Sequence, residues 1–297
     1  MLILRGSRTR GAREANHLDM LNDACTHQTL IVIGGGNMGG AILRGNLASS
    51  MIPRERVVVV EPDASKHPGL TLLAGTVVSA ASLIPATDAR STMVLFGVKP
   101  QVFTGVAREL DERAGDFRGA LVASIMAGTP LETIASACPW ACACIRLMPN
   151  LPASVGRGMT AMCTDARCTP EQAASIRSIF QSVGRVIDLE EPLIDAFTAV
   201  AGSGPAYVFL LAEAMSRGAQ AAGFSREQAD ELARVTISGS AAMLDADPRD
   251  ATVMREAVTS KGGTTEAALR VLAEESWTAA MERAIIAGRD RARALAK

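Results

Sequence analysis

The sequence predicts an α/β fold, with an N-terminal doubly wound sheet followed by an all-α C-terminal domain. Three observations carry this. Short apolar, β-branched runs recur between residues 29 and 190, separated by helical or turn-rich segments, the pattern of strands joined by crossover helices. A glycine-rich turn follows the first run at once. Past residue 190 the pattern is helical throughout. At 297 residues the chain exceeds one typical domain and falls short of three. Residues 29–190 and 191–297 are therefore read as two domains behind an extension over 1–28.

In the extension, Arg5, Arg8, Arg10 and Arg13 are scattered among polar residues without hydrophobic periodicity. Met1 to Leu4 is shorter than the roughly 7–15 apolar residues of a signal peptide, and Glu14, Asp19 and Asp23 argue against a transit peptide. A disordered segment is expected, with Met20 as an alternative start. Thr29 to Ile33 is the first strand, and a helix follows from about Asn37. Val57 to Val60, four valines before Glu61 and Pro62, reads as a parallel strand buried on both faces. Met93 to Val98 and Ala120 to Ile125 read likewise, and Ala143 to Leu147 and Met159 to Cys163 are further strands. Thr169 opens a helix with Pro170 at its first position and Gln172 completing a capping box. Ala173, Ile176, Ile179, Phe180 and Val183 form its buried stripe, and Gly184 ends it. Arg185 to Leu189 is the last strand.

Pro205 to about Gly223 is an apolar helix, and Ser225 with Gln228 caps the next. In that second helix Ala229, Leu232, Ala233, Val235, Gly239, Ala242 and Met243 leave little room for a solvated face, so it is expected to be buried. A domain of this size needs a second subunit to supply part of that cover, which predicts an obligate dimer.

Apolar residues make up 48%, charged residues 21%, and the net charge is −1, which argues against disorder and against nucleic acid or anionic membrane as partners. Uninterrupted apolar stretches such as Tyr207 to Leu211 fall short of the roughly 18 residues of a spanning helix. A soluble protein is expected. The six cysteines form no CxxC pair, and the one histidine beside any of them, His27 next to Cys25, does not complete a zinc set, so no metal site is expected. Cys142 and Cys144 alternate with Ala141, Ala143 and Ile145, which predicts one shared strand face where both act as small hydrophobes. Free thiols fit a reducing cytoplasm.

Gly34-Gly35-Gly36-Asn37-Met38-Gly39 fits GxGxxG between a strand and a helix. Glycines let the main chain approach a pyrophosphate, whose charge then meets the free N–H groups of the helix start. Glu61 follows Gly39 at close to the roughly 20-residue spacing of a ribose-binding carboxylate. The domain is thus Rossmann-type and binds a dinucleotide. A carboxylate about 4 Å from a 2′-phosphate costs on the order of 4 kcal/mol per charge pair at an effective dielectric of about 20. That favours NADH, whereas Lys66 folded over the site would admit NADPH as well, so both cofactors stay open.

Tyr207 is followed four places later by Leu211, so no Tyr-x-x-x-Lys pair is present, and His17, His27 and His67 lie in the extension or after the second strand. A substrate that needs no strong protein base fits, and a protonated imine is one. Val258 to Glu266, with Ser260, Lys261, Gly262, Gly263, Thr264 and Thr265, reads as an anion site: two glycines free backbone N–H groups, threonines cap the helix, and its start attracts a carboxylate. A plain glycine-rich cap is the alternative reading.

Together these segments resemble the pyrroline-5-carboxylate reductase family over residues 29–290. Val258 to Leu272 is similar to that family's signature, V-T-S-x-G-G-T-T followed by A-L-x-x-L. Val98-Lys99-Pro100-Gln101, Arg146-Leu147-Met148-Pro149-Asn150 and Ala201 to Tyr207 resemble three more family segments in the family's order. The resemblance implies reduction of a cyclic imino acid to proline in the cytoplasm, by a homodimer or an oligomer of dimers with interlocked C-terminal helices. It implies that Gly34 to Gly39 bind the pyrophosphate, Val98, Lys99 and Pro100 line the nicotinamide ribose side, Ser260 to Thr265 hold the imino acid, and Thr265 acts near its nitrogen. Glu61, Lys261 and Ala273 depart from the family's usual residues. Another cyclic-imine reductase, or a non-catalytic dinucleotide-binding regulator, are the alternatives.

Overall fold

The computed structural model describes residues 29–61, 63, 71–73, 91–112 and 117–295. The expectations for residues 1–28, Lys66 and the three histidines lie outside that set. The apolar runs form β1 (Thr29–Ile33), β2 (Val57–Val60), β3 (Thr71–Leu73), β4 (Thr92–Phe96), β5 (Leu121–Ser124), β6 (Ala143–Met148), β7 (Gly158–Thr164) and β8 (Gly184–Asp188). One sheet holds them in the order β3-β2-β1-β4-β5-β6-β7-β8. The chain runs outward from β1 to β2 and β3, then returns to place β4 on the other side of β1. That reversal opens a crevice at the carboxyl ends of β1 and β4, where doubly wound folds bind ligands.

The valine-rich strands are buried on both faces because helices cover both. Ile31, Ile33, Val58, Val60, Val94 and Phe96 point into one layer with α2 (Pro100–Asp111) and α3 (Leu131–Ala137). Leu30, Val32, Val57, Val59, Met93 and Leu95 point into the other, with α1 (Asn37–Ser49) and α4 (Pro170–Gln181). Each such side chain contributes about 1.5–3 kcal/mol by leaving water. The Thr169–Gln172 capping box forms as expected.

Every pair in the sheet is parallel except β6 with β7. The link between those two, a short 3-10 helix at Leu151–Val155, is too brief for a parallel crossover of a dozen or more residues, so the chain reverses. Two expectations are corrected here. Gly184 does not end a helix: α4 stops at Gln181 and Gly184 opens β8, where a Cβ would stand 2.0 Å from the Gly158 carbonyl oxygen. Cys142 and Cys144 do not share a face, because Cys142 precedes β6 and packs in the α1–α4 layer while Cys144 is buried in the other.

Contacts group Ala199–Arg291 as a second unit. It is helical: α5 (Gly204–Ala221), α6 (Arg226–Ala246), α7 (Ala251–Ala257), α8 (Thr264–Glu274) and α9 (Trp277–Leu295), the last running just beyond it. Ser225 and Gln228 cap α6 reciprocally, and α5 packs on α6 with Ser216 Oγ donating to Asp230 Oδ1 at 2.5 Å. The expected burial of α6 is not met within this chain. Ala229 and Ala233 are buried, but Leu232 is 45% and Val235 61% exposed, since no element of the unit covers their side.

The helical run Glu191–Ala221 also revises the reading of apolar stretches. Its 31 residues, interrupted by a π-helical turn at Thr198–Gly202, average a hydropathy of 1.4 over the most apolar window, so by length and composition it could cross a membrane. Interspersed Gly, Ser and Thr hide this from a count of consecutive apolar residues. Only 11% of that window is buried.

Candidate functional site

The turn between β1 and α1 is held by main-chain contacts that admit no side chain. Gly34 has φ +97°, and its N–H donates to Val60 O at 2.9 Å. A Cβ there would lie 2.6 Å from the Gly97 carbonyl carbon, and one on Gly97 would lie 2.8 Å from Gly34 O. Gly97 N–H in turn donates to Ile33 O at 2.7 Å. The loops after β1 and β4 therefore touch through two glycines and form the floor of the crevice. Gly39 is equally constrained, its Cβ position being 2.4 Å from Gly34 O.

Gly36 differs. It N-caps α1 with ordinary extended angles, φ −62° and ψ −165°, and a Cβ there would meet nothing within 4 Å among the described residues. So Gly34 and Gly39 close the turn, while Gly36 keeps the approach to the helix start open. Beside it lies a cavity of about 370 Å³ lined by Gly35, Gly36, Asn37, Met38, Ala41 and Arg44 on one side and Leu151 and Ser154 on the other. The first turn of α1 carries no acidic residue, so its positive end is unopposed. An open backbone at a positive helix end suits a pyrophosphate, and the residues present fit a dinucleotide.

The other residues expected at a cofactor are placed as follows. Glu61 is the residue after β2 and is 7% exposed; its Oε1 accepts the Asp63 N–H at 3.3 Å. Val98 is half-buried, Lys99 is exposed at the N-cap of α2, and Pro100 is the first helical residue. The sequence reading missed Gly97 and Arg44. Gly97 was signalled by its place directly after a strand. Arg44 was signalled by its seven-residue spacing from Asn37, which puts both on one side of α1. Arg44 makes no hydrogen bond or ion pair among the described residues.

In the second unit, the segment between α7 and α8 turns tightly. Gly262 has φ +75°, and Gly263 N–H donates to Ser260 O at 3.0 Å. A Cβ on Gly263 would stand 2.4 Å from Ser260 Oγ and 3.0 Å from Ser260 O, so a larger residue there would have to turn the serine side chain aside. Gly263, not a threonine, is the N-cap of α8, and Gly262 N–H is taken by Glu266 Oε2 at 2.7 Å. This corrects the expectation of threonine caps and free glycine N–H groups. Thr264 and Thr265 are instead the first two helical residues, where N–H groups have no intrahelical acceptor. Their hydroxyls make no hydrogen bond among the described residues. Thr265 is half-buried; Ser260, Lys261 and Thr264 are exposed.

Other reactive side chains are engaged in structure. Tyr207 OH donates to Ala199 O at 3.0 Å. Burial pushes the thiols of Cys144 and Cys168 up to about 11, with Asp165 adding to it, so both stay protonated at neutral pH. Arg146, 5% exposed on β6, pairs with Glu191 at 2.9 Å, and Glu191 Oε1 also accepts the N–H of Leu131 at the start of α3.

Comparison with known proteins agrees with both halves. Residues 191–295 match the family described as pyrroline-5-carboxylate reductase dimerisation, and residues 29–128 match NADP oxidoreductase coenzyme F420-dependent. The chain is 38% identical over 266 residues to the pyrroline-5-carboxylate reductase of Synechocystis, covering 90% of this chain and 97% of that one. It is 35% identical over 265 residues to the Escherichia coli enzyme of the same name, covering 89% and 97%. The solved structure of a pyrroline-5-carboxylate reductase from Coxiella burnetii superposes with a TM-score of 0.81 at 30% identity, covering 92% of this chain and all of that one. The dimerisation match spans the half of the chain in which α6 leaves Leu232 and Val235 exposed. This chain belongs to the pyrroline-5-carboxylate reductase family.

Proposed function

We infer that this protein reduces the C=N bond of 1-pyrroline-5-carboxylate to give L-proline, the last step of proline biosynthesis. Residues 29–190 serve as the dinucleotide-binding domain, 191–297 as the dimerisation and substrate-binding domain, and 1–28 as an extension. It works as a soluble cytoplasmic homodimer, or an oligomer of such dimers, without nucleic acid or membrane. The observation that carries the reading, in a chain of this family, is the turn in which Gly34 and Gly39 exclude a Cβ while Gly36 faces open space.

A reduced nicotinamide dinucleotide, when bound, supplies a hydride for the imine carbon. Gly34 to Gly39, with the N–H groups that open α1, hold the pyrophosphate. Val98, Lys99 and Pro100 line the nicotinamide ribose side. Ser260, Lys261, Gly262, Gly263, Thr264 and Thr265 hold the imino acid, whose carboxylate is drawn to the start of α8. Thr265 is the catalytic side chain: its hydroxyl, uncommitted among the described residues, hydrogen-bonds near the substrate nitrogen. The imine nitrogen already carries its proton, so carbon accepts the hydride and nitrogen keeps the proton as the double bond closes to a single one. No protein base is required. Placement alone contributes roughly 7–11 kcal/mol when reacting groups are well oriented.

The test is consumption of NADH or NADPH with pyrroline-5-carboxylate, with proline identified as product. Thr265→Ala should lower turnover while leaving cofactor affinity unchanged. Parent protein that forms no proline overturns the function, and normal kinetics in Thr265→Ala removes that residue's role.

A further inference from the structure

A polar cluster that the proposed reaction does not use lies in the otherwise apolar layer that holds α2 and α3. Arg146 shares a face of β6 with Cys144, which is buried there, and its side chain is 6% exposed. Glu191 brings one oxygen to two donors: Oε1 accepts from Arg146 Nη1 at 2.9 Å and from the Leu131 N–H at 2.6 Å. A guanidinium out of water requires such a counter-charge, yet the second bond reaches further. Leu131 opens α3 and ends the link, residues 125–130, that leaves β5. At the other end of that link, Ile125 N–H donates to Phe96 O at 2.9 Å, and Ile125 Cδ1 stands 3.3 Å from where a Cβ on Gly97 would lie. Gly97 is the residue whose backbone meets Gly34 in the crevice floor. Met126 N–H is held by Ser124 Oγ at 3.2 Å. In between, no N–H of Ala127, Gly128 or Thr129 is hydrogen-bonded among the described residues, and Gly128 has φ +70°. The course of the link is therefore set by its two anchored ends.

We propose that Glu191 is a positioning residue for the reaction: its Oε1 ties the start of α3 to Arg146 and so holds residues 125–130 as the crevice wall beside Gly97 and Val98, where hydride donor and imine are aligned. The role rests on the proposed function, since alignment matters only if a hydride is transferred. It depends on where the oxygen sits and little on its charge. Aspartate at this position keeps the charge for Arg146 but, one methylene shorter, withdraws the oxygen from the Leu131 N–H. Glutamine keeps an oxygen in place and loses the charge. A purely structural ion pair ranks the two the other way, because a buried guanidinium left without its counter-charge is the greater loss.

The experiment measures turnover of pyrroline-5-carboxylate by the full-length parent, Glu191→Asp and Glu191→Gln, with the reduced cofactor carrying hydrogen or deuterium at the transferred position. Urea unfolding and affinity for ADP-ribose, which has the pyrophosphate but no nicotinamide ring, are read on the same samples. Glu191→Asp should lower kcat by roughly tenfold and raise the deuterium isotope effect on kcat, as misaligned transfer becomes rate-limiting. Glu191→Gln should keep kcat within about threefold of the parent while unfolding at lower urea. ADP-ribose should bind all three within about twofold. Parent-like kcat in folded Glu191→Asp overturns the role, as does a kcat that follows stability, with Glu191→Gln the slower. A loss of ADP-ribose affinity that matches the loss of kcat overturns it too. If Glu191→Gln does not fold, Glu191→Asp carries the test through kcat, isotope effect and ADP-ribose binding. A parent that reduces no imine overturns the proposed function and this role with it, whereas an active parent with the reverse order of variants overturns the role alone.

Discussion

Replacing Gly36 with alanine should separate cofactor binding from folding. The added Cβ meets no atom of the described residues within 4 Å, and the φ of −62° and ψ of −165° suit any residue. Alanine is a poorer N-cap than glycine by about 0.5 kcal/mol, while the stiffer unfolded chain returns about 0.4–1 kcal/mol, so stability should change by less than about 0.5 kcal/mol. The same methyl group stands where a pyrophosphate must approach the backbone. Pushing the phosphates away loses one or more charge-assisted hydrogen bonds at about 1.5–3 kcal/mol each, a loss of roughly tenfold to a hundredfold in affinity. Gly34→Ala makes the contrast. Its φ of +97° adds about 1–3 kcal/mol of strain, and its Cβ would press to 2.6 Å from the Gly97 backbone. That variant should unfold at lower temperature as well as bind poorly. Thermal unfolding and fluorescence titration of the same samples give both quantities. Parent-like cofactor affinity in folded Gly36→Ala would refute the placement of the pyrophosphate at this turn.

Three further outcomes are expected. Glu191→Ala leaves the buried Arg146 guanidinium without its counter-charge and Leu131 N–H without its acceptor. Because Glu191 is itself 31% exposed, the cost should be about 2–3 kcal/mol in urea unfolding, and larger than that of Arg146→Met. Arg44→Gln should weaken NADH and NADPH alike by about twofold to fivefold in the same titration, since the residue lines the cavity beside Gly36. Equal affinity in that variant would assign Arg44 to solvent. The Cys144 thiol, raised from its ordinary 9.0 to about 11, keeps its proton in the native state longer than in the unfolded chain. Stability from it is full below the unfolded value and falls as pH rises through that interval, so unfolding compared at about pH 8 and about pH 10 should show a larger loss in the parent than in Cys144→Ala.

The sequence carried the sheet well where burial on two faces leaves a continuous apolar run, and Val57–Val60 is a strand over the very residues read. Strand β3, three residues long, has too little pattern to stand out. The reversal between β6 and β7 was hidden because side-chain alternation is the same for either pairing, and only the brevity of the link decides it. Gly184 shows how a terminator and a close approach look alike in one dimension, since its neighbour Gly158 lies far off in the chain. In the candidate site, Gly34 to Gly39 were legible because local turn chemistry demands them. Gly97 matters through contact with Gly34, and such long-range contacts leave little local trace. The threonines near α8 were misread as caps because Ser260 folds back and hands that position to Gly263.

Within Ala199–Arg291, Ala199, Ser216, Ala229 and Ala233 are the only buried residues. So little interior cannot offset an ordering cost of about 1–2 kcal/mol for each residue's backbone. Completing this half of the molecule is thus a bimolecular event, and its yield depends on how many sister chains are at hand. A newly synthesised chain must wait with greasy helices unshielded, the stage at which clumping competes with maturation and at which a defective copy can spoil a sound one.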